Sequence, residues 1–428
     1  MLPFLDHTTD AFAADPHGQL RTAREESWIV RTPTGLGVLS YAGCNALLLD
    51  AAFRPGIFEM MRRAAPDAGR EASREASREG GAVEGPRTLL GSEGRDHQDL
   101  RRVVMPWFTP RRIETLREHT ANLVSELLDS VAHAGGCEFM TDVATRIPPT
   151  IFCWMVGCDV ERGPELAHWS AIALQAFSGD PAVMDDVREA LRVLRHFADD
   201  LLESKQRAPG DDITSALVRG IEDGVLTHGD ARSLLTEVLS ASVDNTTHSM
   251  GLVVWLLCEH PEQWRLVADD GELVERAVEE CARFEPVIRH GKHFNEHDAE
   301  LLGVAVPAGT LVTAYLDAAH RDPDVYEDPD RFDVTRRLPQ PQLIFGIGRH
   351  YCIGAALARM EIQEVLRAVT TRWVQPRLGT GVRLKTAVGS CEVAHLPVEF
   401  RPVEFRPVEF RPVEFPPVEF PPVEPSRG

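Results

Sequence analysis

Cys352 is the residue in this chain best placed to do chemistry. It closes Phe345-Gly-Ile-Gly-Arg-His-Tyr-Cys352-Ile-Gly354, a turn punctuated by glycines at 346, 348 and 354, just ahead of a helix-like run. Lacking a β-carbon, these glycines permit backbone conformations and close approaches, so the loop can press against a flat cofactor. From Ala355 to Trp373 helix formers dominate, with Leu357, Met360, Ile362, Leu366 and Val369 as apolar positions. Cys352 therefore lies near a helix N-terminus. Helix-end N–H groups and the macrodipole favour negative charge there, which helps present a thiolate to a metal such as iron. The alternative for any cysteine is burial as a small structural hydrophobe, and the neighbours decide between the two.

Phe345, Gly346, Gly348, His350, Cys352 and Gly354 together spell F-G-x-G-x-H-x-C-x-G. With these six matched positions the stretch resembles the haem-binding loop of cytochromes P450. The resemblance implies haem b with Cys352 as the iron ligand, His350 near a haem propionate and Phe345 beside the sulfur. Gly346 and Gly354 complete the cofactor-binding loop. Thiolate ligation of this kind pushes electron density toward iron.

Other stretches extend the likeness. His97-Gln-Asp-Leu-Arg101, followed by Phe108-Thr-Pro, is similar to the family's H-x-x-x-R and F-T-P pattern. Four residues apart on a helix, His97 and Arg101 share a face and could both donate to one anion, which the resemblance identifies as a haem propionate. Residues 231–258 read as one long apolar helix ended by His260-Pro261, since proline disfavours helix in the residue before it. Inside it sits a polar knot, Ser242-Val-Asp244-Asn245-Thr246-Thr247-His248, whose burial calls for a functional site or a local opening of the helix. The knot resembles the family's oxygen-binding groove, beginning at Ala241 with Asp244 as the acid. Counting back from His260-Pro261 puts Asn245 where the family usually keeps an alcohol and matches Thr246 to its second threonine. An Asn amide can still donate a hydrogen bond to dioxygen or hold a water that does so.

Glu280-Cys-Ala-Arg283 matches the family's E-x-x-R, and with Pro329-Asp-Arg331-Phe332 it implies a three-residue network bracing the cysteine loop. Registering on Gly303 puts His293 where an arginine often meets a propionate, with Lys292 or Arg289 as alternatives. Upstream, Trp28 to Pro33 and Gly37 to Tyr41 read as two strands around a Thr-Gly-Leu-Gly turn. A charged repeat from Arg70 reads as a mobile loop or solvated helix, flanked by Phe58, Met60, Met61, Leu89 and Leu90 as pocket-lining or core residues.

The bulk properties bound the rest. A length of 428 residues, 43% hydrophobic and 26% charged, describes a globular chain able to enclose a cofactor. A net charge of −21 excludes a nucleic-acid partner, which would call for a basic surface. The eight cysteines form no C-x-x-C pair, so seven read as structural thiols. With no basic n-region, apolar run or membrane span at the N-terminus, the expected location is the cytoplasm.

The expectation is a mainly α fold with small β-sheets, the cytochrome P450 fold, with haem between the long central helix and the cysteine-loop helix. Residues 1–400 would form a single domain. The Pro-Val-Glu-Phe repeats of 401–428 would form a disordered tail, because regular proline removes backbone donors. The resemblance implies a monooxygenase that inserts one oxygen atom from O2 into a hydrophobic small molecule such as a secondary metabolite, terpenoid or steroid. Electrons from NAD(P)H would arrive through a reductase and a separate ferredoxin-like or flavodoxin-like donor. That donor would dock near Arg101, Arg102, Arg111, Arg112, Arg349 and Arg359. Peroxide-driven oxidation, coupling or rearrangement, or a haem sensor without turnover, are the alternatives.

Overall fold

Glycine spacing fixes the first sheet. The strands Ile29–Thr32 and Gly35–Val38 pair antiparallel with Thr32 opposite Gly35, so Pro33-Thr34 make the connection and the two glycines expected in the turn lie within the second strand. Gly35 has φ +152°, and a β-carbon there would sit 2.0 Å from the Leu311 carbonyl oxygen, so only glycine admits the neighbouring strand. Strands Ile29–Thr32, Gly35–Val38, Leu311–Tyr315, His290–Phe294 and Arg54–Pro55 lie side by side in that order. The Gly35–Val38 and Leu311–Tyr315 pair is parallel and the others antiparallel.

The computed structural model describes residues 2–56, 59, 87–178, 181–387 and 389–402. Two units emerge. The first comprises Met1–Arg63, His248–Cys352 and Leu378–Leu396, and the second Ala64–Thr247, Ile353–Arg377 and Pro397–Gly428. In the first unit the five-stranded sheet packs Val38, Val312 and Ala314 against Cys44 and Leu47 of the helix Tyr41–Leu49 and against Leu343. Phe58, Met60, Met61 and the charged repeat fall outside the described residues.

The second unit is built of helices, including Gly94–Val104, Pro110–Val131, Ile147–Val156, Met184–Arg207 and Ala355–Arg372. Pro148-Pro149, a turn signal in the sequence, occupies the first turn of Ile147–Val156, where the missing N–H costs no intrahelical bond. The central helix runs unbroken from His228 to Glu259, and Pro261 starts the next one. The architecture is mainly α with small sheets, as the sequence implies.

The tail boundary needs correction. Pro397–Pro402, the first repeat and the start of the second, forms the middle strand of a three-stranded sheet between Gly136–Glu138 and Trp373–Leu378. Its prolines stand at the strand's two ends, and the Phe400 N–H reaches the Gly135 carbonyl at 3.0 Å. Phe400 is buried and stacks on Trp373 at 4.4 Å, which in turn meets the edge of Phe139. Strand pairing and aromatic burial thus outweigh the repeat's disfavoured composition at Pro397–Pro402. We expect Phe400→Ala to cost about 3 kcal/mol in denaturant unfolding, whereas trimming residues 403–428 should leave the midpoint unchanged.

Candidate functional site

In the first unit, the cysteine loop is closed by the Cys352 N–H donating to the Phe345 carbonyl at 2.7 Å and the Gly346 N–H donating to Leu343 at 2.9 Å. Gly346 (φ +66°) and Gly348 (φ +70°) take left-handed conformations that favour glycine. Cys352 is exposed, in contrast to the buried Cys44, Cys153, Cys281 and Cys391. The segment from Phe345 to Cys352 therefore offers one accessible sulfur at the end of a backbone-locked turn.

The same unit brings His293 and His350 together. His293, on the strand His290–Phe294, has its Nδ1 shielded from solvent without a hydrogen-bond partner. Burial, together with the neighbouring His350 and Arg349, pushes its pKa down to about 4. The Arg349 guanidinium beside a shielded imidazole makes a place where an anion would be welcomed.

Below the loop, Glu280 and Arg283 on the helix Val274–Phe284 form a fully buried bidentate pair at 2.8 Å in both bonds. The third member of the network is Arg336, not Arg331. Arg336 Nε reaches Glu280 at 3.2 Å, while the exposed Arg331 side chain pairs with Asp333. Arg331 contributes its carbonyl to Arg283 at 3.1 Å instead, while its own guanidinium stays exposed.

The second unit holds the remaining expected residues. His97 is buried and Arg101 half-buried on the helix Gly94–Val104, one turn apart. On the central helix, exposed Ala241 and half-buried Asp244 and Asn245 lie along one stripe, whereas Thr246 is buried on the opposite face with Val243 and Thr247. The helix does not open at the polar knot. Thr247 and Ser242 hydroxyls satisfy themselves on the Val243 and Leu239 carbonyls at 2.8 and 3.2 Å. Gly354 caps the N-terminus of Ala355–Arg372, and nothing within 4 Å would meet a β-carbon there.

Besides Arg336, Glu237 and His320 escaped the sequence reading. Glu237, two turns before the knot, accepts the Leu89 and Leu90 N–H groups at 2.7 and 2.8 Å, and burial pushes its pKa up. An acid in an apolar run was the available signal. His320 carried none. Its Nε2 accepts the Leu343 N–H at 3.0 Å, anchoring the entry to the cysteine loop. Of the arginines expected on a docking face, Arg112 is buried, bound to Asp211 at 2.9 Å and lying over Trp107 at 4.1 Å, so it serves the fold.

Comparison with known proteins now identifies the class. Residues 182–372 match the cytochrome P450 family. Luteothin monooxygenase of Streptomyces thioluteus is 32% identical over 413 residues, covering 93% of this chain and 96% of its own. 6-Deoxyerythronolide B hydroxylase of Saccharopolyspora erythraea is 33% identical over 314 residues, 72% and 76% of the two chains. The structure of myxobacterial cytochrome P450 CYP267B1 with myristic acid superposes with a TM-score of 0.83 at 27% identity, covering 92% and 98%.

The chain belongs to the cytochrome P450 family. It is an oxygen-incorporating oxidoreductase whose cofactor is haem b, with O2 and NAD(P)H-derived electrons. Its residues fit that group: an exposed cysteine on a glycine-shaped loop, and a shielded imidazole nitrogen beside the Arg349 guanidinium. Among the described residues no helix is long and apolar enough to cross a membrane.

His320 yields a pH prediction. Burial pushes its pKa from 6.5 down to about 3, so the unfolded chain takes up the proton first and folding stability falls as pH drops below about 6.5. The Leu343 N–H also requires Nε2 to be unprotonated. The stability gap between wild type and His320→Asn should narrow by about 1.4 kcal/mol per pH unit between pH 6 and 4. Parallel urea midpoints across that range would contradict this.

Proposed function

We propose that this cytochrome P450 inserts one oxygen atom from O2 into a hydrophobic secondary metabolite, with electrons delivered by a separate ferredoxin-like or flavodoxin-like protein. The observation that carries the reading is the accessible Cys352 on its locked glycine loop. The relatives support the substrate class by their names, luteothin monooxygenase and 6-deoxyerythronolide B hydroxylase. When bound, the haem supplies oxygen activation at its iron.

Each residue then has a task. Cys352 provides the thiolate, with Phe345 packed beside it and Gly346 and Gly354 keeping the approach open. His293 and His350 of the first unit, and His97 and Arg101 of the second, would be donors to the propionate carboxylates. An imidazole in place of the family's usual arginine at 293 offers one donor in place of a fork. Ala241 leaves room on the central helix, and Asp244 carries a proton on its carboxyl oxygen toward the reacting site. Asn245 holds the intervening water through its Nδ2 donor, replacing the usual hydroxyl. Thr246, on the opposite face, positions the helix.

Asn245 also motivates the second reading, in which the enzyme consumes peroxide or performs coupling, because the ordinary acid and alcohol pair is broken. A substrate found by its spin-state shift, assayed with competent redox partners, separates the readings. Asn245→Ala should lower oxygenated product per reduced nicotinamide several-fold and raise peroxide release, while Asn245→Thr stays coupled. Unchanged coupling in Asn245→Ala would remove Asn245 from proton delivery. Product formed from peroxide alone at the full rate would favour the second reading.

A further inference from the structure

The helix Ile147–Val156 ends on Gly157 in the left-handed conformation, φ +72°. The N–H groups of Gly157 and Cys158 both donate to the Cys153 carbonyl at 3.0 Å. A bond from the residue after the left-handed glycine back to this carbonyl is the six-to-one bond of a Schellman ending, which brings the side chains of its first and last residues together. In most helices that contact is between two hydrophobes. Here both positions are cysteine, five residues apart in Cys153-Trp-Met-Val-Gly-Cys158.

The six-to-one bond sets the two side chains side by side, and their settings differ. Cys153 is fully buried, whereas Cys158 is half-buried. The neighbouring Cys153 thiol holds the Cys158 thiol below its usual range, aided by Arg162 and Lys205 and opposed by burial and Asp159. The same contact and burial push Cys153 up. The Lys205 ammonium is fixed nearby by Asp212 at 2.5 Å, and both groups crowd Gly157 so closely that a β-carbon there would lie 2.3 Å from the carboxylate and 2.4 Å from the ammonium. The turn therefore pairs a more acidic, more accessible sulfur with a buried one.

We propose that Cys153 and Cys158 are a reversible dithiol site that hydrogen peroxide closes to a disulfide. In the first step the Cys158 thiolate attacks one peroxide oxygen, the O–O bond breaks, and hydroxide leaves to become water as Cys158 becomes a sulfenic acid. In the second, the Cys153 sulfur attacks the Cys158 sulfur, its proton is lost, and the sulfenic oxygen departs as water. Two thiols and one peroxide give one disulfide and two waters. The sulfurs together lose two electrons and the peroxide gains them. The crosslink converts a backbone-capped helix end into a covalently closed one, and a thiol reductant reopens it.

Haem-loaded full-length protein treated with hydrogen peroxide, blocked with an alkylating reagent and digested with trypsin under non-reducing conditions tests this. Residues 147–162 form one tryptic peptide containing both cysteines and no internal cleavage site. That peptide should become two hydrogens lighter and resist alkylation until reduced, and should close faster in native protein than in urea-unfolded chain. Cys153→Ser should leave Cys158 as a sulfenic acid captured by dimedone, while Cys158→Ser should leave Cys153 unreacted. Two alkyl labels on the wild-type peptide after peroxide would overturn the proposal. So would equal or slower closure in the native protein than in the unfolded chain.

Discussion

The first unit depends on one guanidinium. Arg283 is fully buried, and each of its five N–H donors has an acceptor: Nε and one Nη2 hydrogen reach Glu280, and the others reach the carbonyls of His320, Pro329 and Arg331 at 3.0, 2.7 and 3.1 Å. Saturation on this scale is what makes a buried charge tolerable. Removing one partner would strand the other without solvent, at a cost of about 3–5 kcal/mol. Glu280 is equally occupied, accepting from Arg283, Arg336 and the Asp333 N–H.

The consequence reaches the cysteine loop in three short steps. Arg283 holds the His320 carbonyl, the His320 ring accepts from Leu343, and Leu343 in turn receives the Gly346 N–H. Each link is a directional hydrogen bond rather than a hydrophobic contact, so the position of Cys352 is set by geometry that packing alone would leave loose. The central helix follows a related logic. The Ser242 and Thr247 hydroxyls bond back to carbonyls of their own helix and keep the backbone regular, and Asp244 and Asn245 lie on its half-buried stripe.

Legibility in the sequence tracked locality. The cysteine loop, the His97 to Arg101 turn and the long helix could be read because their residues are neighbours in the chain or one helical turn apart. Arg336 was missed because Arg331 lies closer to the recognisable Pro-Asp-Arg-Phe string, while the choice between them depends on which backbone the guanidinium can meet. The His320 ring bonds Leu343, 23 positions away, and no spacing rule reports such a bond. Composition set the tail boundary two residues early, because Trp373 and Gly135–Glu138 supply the partners that carry the strand Pro397–Pro402 through Arg401 and Pro402.

Cys352 as the iron ligand is tested most directly by the absorption spectrum of the reduced, carbon-monoxide-bound protein after haem loading. Wild type should show the strongly red-shifted Soret band of thiolate ligation. Cys352→His should keep haem and lose that band, and Cys352→Ala should lose it as well. Persistence of the thiolate band in either variant, or its absence from the folded wild-type protein, would contradict the assignment.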